Sequence, residues 1–495
     1  MNYRIYSTLT ALLSTLASAV AAAAAPNIVY IICDDLGYGD VHCLNPVHGK
    51  IPTPNIDKLA SEGMVFTDAH SGSSVCTPTR YGIMTGRYAW RTRLQGGVVQ
   101  GFAPSLIAPD RTTVAGFAKQ QGYVTAALGK WHIDFQYCDP ETGKTSPHMA
   151  KKNLPPVGST IPDGPVNRGF DHYHGFHHSG HMQAVIEDDR VVEYDEVIHM
   201  LPRLQHKAVE YLHSRTDAHE PFFLYFALSS PHSPIVPSPE WQGKSELGTY
   251  GDFVMQTDHV VGEVCKAVEE LGMSDNTLII FTSDNGCSKA AGIEKLAEQG
   301  HLVSANLRGS KADIWDGGHR IPFVVRWPGV VAPGSHCDQL ICLTDLFATV
   351  ADALGTDTPT GTCEDSVSFL PALSGEPIAS TRSGVVHHSI SGHFAYRTDK
   401  WKLVLARGSG GWTSPRENQV SSDAPEGQLY NMETDVGEQH NLYIQKPEVV
   451  QELLKQLESD IRSGRSTDGP PASNDIGKVK IWKSSRQAVP NLRSN

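Results

Sequence analysis

Three near-continuous apolar runs stand out in the pattern of hydrophobic and polar positions. They cover residues 27–33, 221–227 and 277–282. Apolar runs of this length, without alternating polar positions, are typical of strands buried on both faces of a sheet. Polar residues follow each run directly or within a few positions: Asp34 and Asp35, then His232, then Asp284 and Asn285.

Helical patterns separate these predicted strands, at residues 55–62, 113–121, 204–213 and 253–271. Strands that alternate with helices indicate an α/β fold, here a large, mainly parallel sheet sandwiched by helices. In such sheets ligands gather at the carboxyl ends of the strands. The polar residues that follow the apolar runs are therefore candidates for a functional site.

The pattern changes after about residue 380. Residues 392–406 predict a β-hairpin that turns at 398–400, and residues 447–463 predict a helix that Gly464 ends. We expect a catalytic α/β domain over 26–380 and a smaller subdomain over 381–470, made of an antiparallel sheet and a helix. The polar residues 471–495 predict a loosely ordered tail.

The amino terminus differs from the rest of the chain. Arg4 precedes an apolar, alanine-rich run over residues 9–25, which predicts a secretory signal peptide over 1–25. A membrane anchor is the alternative, but the run is rich in Ala, Ser and Thr and has no basic flank on its far side. We expect an exported protein (periplasmic, secreted or in an organelle lumen) without stable membrane insertion.

Charge narrows the range of partners. The formal net charge is −13, which argues against nucleic acid as a partner. The same charge repels an anionic substrate at long range. A site for an anion therefore needs a local concentration of cationic side chains.

The chain has nine cysteines. With Cys76 set aside, the other eight are irregularly spaced and form neither a C-x-x-C pair nor a zinc pattern. One or two disulfide bonds are compatible with export. The spacing leaves their pairing open.

Cys76 lies in the most restrictive motif, Ser-Val-Cys-Thr-Pro-Thr-Arg at 74–80, with Thr-Gly-Arg following at 85–87. Pro78 suits the first turn of a helix, which places Cys76 at a helix amino terminus, where anions are favoured. A buried structural cysteine and a thiol nucleophile are both compatible with this motif alone. The phosphatase spacing, with arginine six residues after cysteine, is absent because Arg80 follows by four.

The carboxylate and amide side chains after two of the predicted strands offer only oxygen ligands. This set comprises Asp34, Asp35, Asp284 and Asn285. Oxygen ligands suit a hard divalent cation, Ca²⁺ or Mg²⁺. Any one pair alone is also typical of a helix cap or a solvated loop. Two pairs at equivalent strand ends favour a shared ion.

Three further motifs carry cationic or titratable side chains: Gly-Lys-Trp-His at 129–132, Pro-His-Ser-Pro at 231–234, and Lys311 in a glycine-rich loop at 308–320. In this order, and with the Cys76 motif, they resemble the type I (formylglycine-dependent) sulfatases of the alkaline phosphatase superfamily. The resemblance runs from residue 27 to about 328 and weakly beyond. Leu128 and Val436 depart from the family pattern.

The resemblance implies a set of roles. Cys76, oxidised to formylglycine by a maturase, supplies a gem-diol nucleophile and an oxygen ligand for Ca²⁺, with Mg²⁺ as an alternative ion. The other implied Ca²⁺ ligands are Asp34, Asp35, Asp284 and Asn285. The implied catalytic and sulfate-binding residues are Arg80, Lys130, His132, His232 and Lys311, with His232 as the acid for the leaving alcohol and His132 as the base that releases sulfate.

Substrate identity is less constrained. Five histidines lie in residues 171–181, and we expect His181 to contact a sugar hydroxyl or a second anion, although a plain polar loop is the alternative. Residues 243–253 and 408–412 resemble arylsulfatase A and N-acetylgalactosamine-6-sulfatase-like members, so a sulfated glycan is favoured over a simple aryl ester.

Two other functions stay open at this point. One is a phosphodiesterase or phosphonate monoester hydrolase of the same superfamily. The other is an inactive protein that retains a sulfate-binding pocket. Every position that carries the resemblance in the catalytic motifs is intact, which favours an active sulfatase.

Overall fold

The structure is a computed structural model that describes residues 25–101, 103–145, 154–379 and 381–483. The predicted signal peptide, apart from Ala25, lies outside the described residues, as does the end of the predicted tail, 484–495. No helix in the described part of the chain is long and apolar enough to cross a membrane.

The strands of the described residues are β1 (Asn27–Asp34), β2 (Met64–Phe66), β3 (Ala69–His70), β4 (Val124–Lys130), β5 (His172–Phe176), β6 (Ala184–Glu187), β7 (Arg190–Tyr194), β8 (Phe222–Pro231), β9 (Thr277–Ser283), β10 (Phe323–Arg326), β11 (Ser335–Cys337), β12 (Ile341–Cys342), β13 (Val385–His388), β14 (Phe394–Arg397), β15 (Trp401–Val404) and β16 (Gln428–Asn431). The α-helices are α1 (Pro54–Ser61), α2 (Cys76–Thr85), α3 (Val114–Gln120), α4 (Val197–Ser214), α5 (Thr249–Glu270), α6 (Ile293–Glu298), α7 (Asp316–His319), α8 (Leu346–Ala353), α9 (Leu370–Leu373) and α10 (Pro447–Ser463).

Ten strands form the large sheet, in the order β11-β2-β10-β9-β1-β8-β4-β5-β6-β7. The central strands β9, β1, β8, β4 and β5 are parallel, whereas β10, β6 and β7 run antiparallel to their neighbours. The predicted α/β fold with a large, mainly parallel sheet is confirmed. Sequence reasoning did not identify the antiparallel strands towards the edges.

Strand β1 shows why the sheet needs cover on both faces. Ile28, Tyr30 and Ile32 pack into one hydrophobic core with residues of α2, α3 and α8. Val29 and Ile31 alternate with them and pack into a second core with residues of α1, α4 and α5. Because successive side chains of a strand point to opposite faces, one apolar run supplies both cores.

Strands β13 to β16 form a separate four-stranded antiparallel sheet, and α10 packs against β14 and β15. The predicted hairpin and terminal helix are present. A buried ion pair ties this sheet to α7, because Lys402 Nζ on β15 lies 2.7 Å from Asp316 Oδ1, and Lys402 Nζ is also 2.7 Å from Glu438 Oε1. Breaking such a buried pair on one side leaves an uncompensated charge.

Helix α4 begins at Val197, seven residues earlier than predicted, and includes Pro202. Proline removes a backbone hydrogen-bond donor and disfavours a helix interior. Met200 is buried on the same face as Leu204 and Ala208. Burial of this additional turn of apolar surface outweighs the lost hydrogen bond.

The structure also bears on the cysteines, whose pairing the sequence left open. All nine lie in the described residues, and all are free thiols in the structure. Several belong to hydrophobic cores, Cys33 among them. The disulfide bonds that the sequence left possible are not formed in the structure, and the buried thiols pack as small apolar side chains.

Candidate active site

The candidate site lies at the carboxyl ends of four adjacent strands. Asp34 ends β1, Lys130 ends β4, Asp284 follows β9, and His232 follows β8. Parallel pairing aligns these ends, with Cys33 opposite Ser283 in the β1–β9 register. Residues almost 250 positions apart are thereby brought to one edge of the sheet.

Cys76 is the first residue of α2 and is only 2% exposed. Its Sγ lies 3.5 Å from Lys130 Nζ, 3.6 Å from Lys311 Nζ and 3.7 Å from Asp34 Oδ1. Burial raises the pKa of the Cys76 thiol to about 12 in spite of the two lysines. A thiol with this pKa stays protonated near neutral pH, which does not suit a thiolate nucleophile.

Three buried ion pairs surround Cys76. Lys130 Nζ donates to both oxygens of Asp34 at 2.8 and 2.6 Å, and Lys311 Nζ donates to both oxygens of Asp35 at 2.5 and 2.7 Å. In the third pair, Arg80 binds Asp284. Three cationic side chains thus pair with three carboxylates, and their charges sum to zero. The six side chains alone therefore supply no excess positive charge to bind an anion.

A divalent cation fits this arrangement. Ligand atoms of Asp34, Asp35, Cys76 and His232 all lie within 4.8 Å of one another. Asn285 Nδ2 donates to Asp35 Oδ1 at 2.8 Å, while Asn285 Oδ1 is buried without a hydrogen-bond partner. A buried oxygen of this kind needs a partner, and carboxylate and amide oxygens are ligands for hard cations.

His232 is oriented by its Nδ1 atom. Nδ1 donates to the carbonyl oxygen of Ser233 at 2.5 Å and lies 3.0 Å from Ser179 Oγ. The other ring nitrogen, Nε2, then faces the site, 3.6 Å from Asp35 Oδ2. Sequence reasoning did not identify Ser179, because nothing in its spacing links it to a residue 53 positions away.

His132 is oriented by its other ring nitrogen, Nε2. Its Nε2 donates to the carbonyl oxygen of Val99 at 3.1 Å, and its Nδ1 is buried without a hydrogen-bond partner. Burial lowers the pKa of His132 well below its ordinary value. The ring is therefore neutral and keeps an unused lone pair on Nδ1, as a proton acceptor requires.

The backbone geometry at residue 129 requires the glycine that precedes Lys130. This glycine has a φ of 99°, and a Cβ atom there would lie 1.8 Å from the carbonyl oxygen of Ala227 on β8. Only glycine permits this close approach of β4 to β8. Lys130 follows directly at the end of β4, and its side chain reaches the site from there.

The histidine-rich segment is not a plain loop. Residues 172–176 form β5, and 179–181 form a 3₁₀ turn. His181 is 1% exposed, with its ring 4.7 Å from that of His178 and 6.1 Å from that of Tyr137. Its role as a substrate contact stays a prediction.

A second histidine cluster includes His319 of the 308–320 loop. His70, His319 and His387 are buried with ligand atoms close together. The rings of His319 and His387 stack in parallel, with centroids 3.8 Å apart. A metal ion lies in the plane of each imidazole that binds it, so two parallel stacked rings cannot direct their nitrogens at one ion. The cluster is a packing and hydrogen-bonding unit.

Comparison with known proteins identifies the family. Residues 26–356 match the sulfatase family model, and residues 310–466 match the C-terminal model of N-sulphoglucosamine sulphohydrolase. The chain is 31% identical to an N-acetylgalactosamine-6-O-sulfatase of Bacteroides thetaiotaomicron (88% of this chain, 93% of the relative). It is 32% identical to human arylsulfatase A (90% of each chain).

A solved structure agrees with these matches. It comes from work on the metabolism of multiple glycosaminoglycans by Bacteroides thetaiotaomicron, and it superposes with a TM-score of 0.76 at 29% identity, covering 88% of this chain and 98% of the other. The predicted family is confirmed. The chain therefore belongs to the sulfatase family and is a sulfate ester hydrolase.

Proposed function

We propose that this sulfatase removes sulfate from a sulfated carbohydrate, with a formylglycine made from Cys76 as nucleophile and a bound Ca²⁺, or Mg²⁺, as cofactor. The observation that carries the proposal is the position of Cys76 Sγ between the amino groups of Lys130 and Lys311 and the carboxylate of Asp34. Relatives named for N-acetylgalactosamine 6-sulfate and glycosaminoglycans support the carbohydrate substrate.

A formylglycine-generating maturase, with a two-electron oxidant of its own, oxidises Cβ of Cys76 to an aldehyde, and the sulfur leaves as hydrogen sulfide. Hydration of the aldehyde then places two hydroxyls on one carbon. One hydroxyl gives its proton to Asp284, and its oxygen attacks sulfur while the bond between sulfur and the alcohol oxygen breaks. Loss of the proton from the second hydroxyl then expels sulfate and restores the aldehyde. A serine or an unmodified cysteine has no second hydroxyl, so it would remain sulfated.

The cations stabilise the charge that develops on the sulfate oxygens. Lys130 Nζ and Lys311 Nζ lie within 3.6 Å of the Cys76 sulfur, which marks the position of the nucleophilic oxygen. Both amino groups are fixed by carboxylates, so little reorganisation accompanies the reaction. Arg80 donates to the backbone carbonyl of Lys130 at 2.9 Å and holds that strand end in place.

Five side chains would hold the metal ion: Asp34, Asp35, Asp284, Asn285 and, through its oxygen, the modified Cys76. When bound, the ion supplies positive charge that polarises the sulfate group and favours the ionised nucleophile. The unpartnered Asn285 Oδ1 supports this assignment, as does the zero net charge of the ion pairs.

Two histidines move protons at opposite ends of the reaction. His232 Nε2 is the atom that would protonate the departing alcohol oxygen, because its Nδ1 is committed to the Ser233 carbonyl. His132 Nδ1 is the atom that would take the proton of the remaining hydroxyl, because its Nε2 is committed to Val99. Such proton transfer contributes about 10²–10⁴-fold to rates.

The test is desulfation of defined sulfated monosaccharides, measured by released sulfate, beside an aryl sulfate and an aryl phosphodiester. We expect the best monosaccharide and the aryl sulfate to be hydrolysed much faster than the phosphodiester. Faster hydrolysis of the phosphodiester would favour the phosphodiesterase alternative. Hydrolysis of the aryl sulfate without that of any sugar sulfate would contradict the carbohydrate substrate.

We also propose that the chain is exported, as its apolar, alanine-rich run at 9–25 suggests. Amino-terminal sequencing of the protein recovered outside the cytoplasm should begin close to Pro26. Recovery of an intact amino terminus from the cytoplasm alone would contradict export.

A further inference from the structure

A histidine ring packs against the proposed base, His132. The planes of the His178 and His132 rings are inclined by 20°, and their centroids lie 5.6 Å apart. Aromatic pairs are favourable in offset stacks with centroid separations of about 4.5–7 Å. His178 transfers no proton in the proposed reaction, so its contact with the base has a different consequence.

The parallel pairing of β4 with β5 brings these two rings together. The pairing continues past the strand ends, because Trp131 N donates to the carbonyl oxygen of Phe176 at 3.1 Å and His132 N donates to that of His177 at 2.8 Å. His132 has a φ of 55°, in the left-handed region that such residues adopt where surrounding contacts hold them. The sheet register therefore places His178 beside the base.

The hydrogen bond from His132 to Val99 leaves one rotation of the imidazole weakly restrained. Rotation about the Cβ–Cγ bond of histidine has broad, roughly two-fold minima. Nε2 lies nearer to this axis than Nδ1, and its N–H points more nearly along the axis. A turn of the ring therefore redirects the lone pair of Nδ1, the proposed proton acceptor, more than the N–H that binds the Val99 carbonyl. A second ring that lies flat against His132 restricts this turn.

The supporting ring is itself held in place. Nδ1 of His178 and Nδ1 of His177 share a hydrogen bond at 2.8 Å, and the His181 ring lies 4.7 Å from that of His178. His177 is fully buried. A Cβ atom at Gly180 would lie 2.9 Å from His178 Nε2, so the chain leaves room for the ring there. The position of His178 is thus fixed from several sides.

The supporting ring is also neutral. Burial, with a smaller contribution from His181, lowers the pKa of His178 to about 3, and burial lowers the pKa of His177 well below its ordinary value. His132 becomes an imidazolium when it takes the hydroxyl proton, and a protonated neighbour would oppose this change by like-charge repulsion. The neutral ring of His178 supports the base without opposing its charged form.

We propose that His178 is a positioning residue for His132, and that its stacked ring fixes the plane of the base so that Nδ1 faces the second hydroxyl of the nucleophile. In the step concerned, the hydroxyl proton passes to Nδ1, the bond from carbon to the sulfate oxygen breaks with its electron pair going to sulfate, and the aldehyde C=O forms. This inference rests on the proposed function. It assigns His178 to the release of sulfate and not to the attack on sulfur.

This assignment has a kinetic signature on nitrophenyl sulfate. Nitrophenol leaves in the first step, which sets kcat/KM, whereas the later release of sulfate contributes to kcat alone. A variant that is slow only in sulfate release therefore lowers kcat and KM together and keeps kcat/KM near the wild-type value. It also accumulates enzyme that carries a sulfate ester on residue 76.

The experiment compares matured His178→Ala and His178→Phe with the wild type, and follows nitrophenol and sulfate separately after rapid mixing. We expect His178→Ala to lower kcat about 10- to 100-fold, with KM falling by the same factor. Nitrophenol should appear in a burst before sulfate, and mass spectrometry of the quenched protein should find one sulfate group on the peptide that contains residue 76. His178→Phe retains a flat ring and should restore most of the wild-type kcat. His206→Ala, an exposed histidine on α4, is the matched control.

A third variant separates the stack from the hydrogen bond to His177. In His178→Asn the amide can keep that hydrogen bond, but the ring is absent. We expect His178→Asn to show the same burst and the same fall in kcat as His178→Ala, and it replaces His178→Ala if the alanine variant does not fold. Wild-type kcat in His178→Asn would overturn the proposal.

Three other outcomes would also overturn the positioning role: an unchanged kcat in His178→Ala, a lower kcat/KM without a burst, and equal losses of kcat in His178→Ala and His178→Phe. If the wild type carries formylglycine and hydrolyses sugar sulfates, these outcomes leave the proposed function intact. A free Cys76 thiol in fully active wild-type protein would instead contradict the proposed function, and this inference with it.

Discussion

Arg80 and Asp284 are joined by a two-pronged ion pair deep in the site. Arg80 Nε and Nη2 both donate to Asp284 Oδ2, at 2.9 and 2.8 Å, and both side chains are fully buried. The two residues are 204 positions apart in sequence. This contact joins the helix that begins at Cys76 to the residue that follows β9, so the proposed nucleophile is tied to a proposed metal ligand.

Replacement of Arg80 by lysine should be as harmful as replacement by alanine. Lysine has one ammonium group and cannot bind Asp284 and the carbonyl of Lys130 together in the planar geometry of arginine. We expect Arg80→Lys to lower kcat/KM by at least about 10²-fold on both an aryl sulfate and a sugar sulfate. Arg462→Lys, on the exposed face of α10, is the matched control. Near-wild-type rates in Arg80→Lys would show that activity does not depend on the planar guanidinium group of Arg80.

His232→Ala should separate the two kinds of substrate. The alkoxide of a sugar is a poor leaving group and needs a proton, whereas nitrophenolate hardly needs one. We expect a loss of about 10²–10⁴-fold on the sugar sulfate and a much smaller loss on nitrophenyl sulfate. Lys130→Ala should harm both alike, because it acts on the sulfate. Equal losses for His232→Ala would reassign His232 from proton donor to sulfate binder.

The modification of Cys76 can be counted by thiol alkylation. All nine cysteines are free in the structure, so the denatured, unreduced protein should react at nine thiols before maturation and at eight after it. The peptide that contains Cys76 should then carry an aldehyde by mass spectrometry. Cys76→Ser should be inactive unless a serine-oxidising maturase is present. A free Cys76 thiol in fully active protein would contradict the mechanism.

Metal removal should affect stability as well as activity. An ion that binds only the folded protein raises its melting temperature, so exhaustive chelation should lower Tm and abolish activity. Ca²⁺, or Mg²⁺, should restore both, since the ligands are oxygens. In Asp35→Ala neither addition should have an effect. Unchanged Tm and activity after chelation, with no ion detected by elemental analysis, would exclude this site.

Gly129→Ala should destabilise the fold and remove activity together. The new Cβ would lie 1.8 Å from the carbonyl oxygen of Ala227, at a φ of 99° that L-residues rarely adopt. We expect a loss of more than about 3 kcal/mol in the free energy of unfolding, measured by denaturant titration. Gly243→Ala is the matched control, since its φ is 78° but no atom lies within 4 Å of the added Cβ. Equal losses in the two variants would attribute the effect to φ alone.

The sequence by itself determined what depends on neighbours along the chain. The apolar runs identified the central strands, Gly464 identified the end of the last helix, and Pro78 placed Cys76 at a helix start. A strand that is buried on both faces of a parallel sheet has a continuous apolar sequence. The end of a helix favours particular residues, such as glycine, at one position. The motifs shared with the sulfatase family, which follow one another in the family's order, identified the candidate residues of the site.

Only the tertiary structure decided which of these residues meet. The sequence did not pair Arg80 with Asp284 or Lys311 with Asp35, did not link Ser179 to His232, and left the disulfide question open. It also missed the first turns of α4, where burial of Met200 outweighs the cost of Pro202. These contacts arise from strand order and register, which depend on the packing of segments hundreds of residues apart and leave no local pattern.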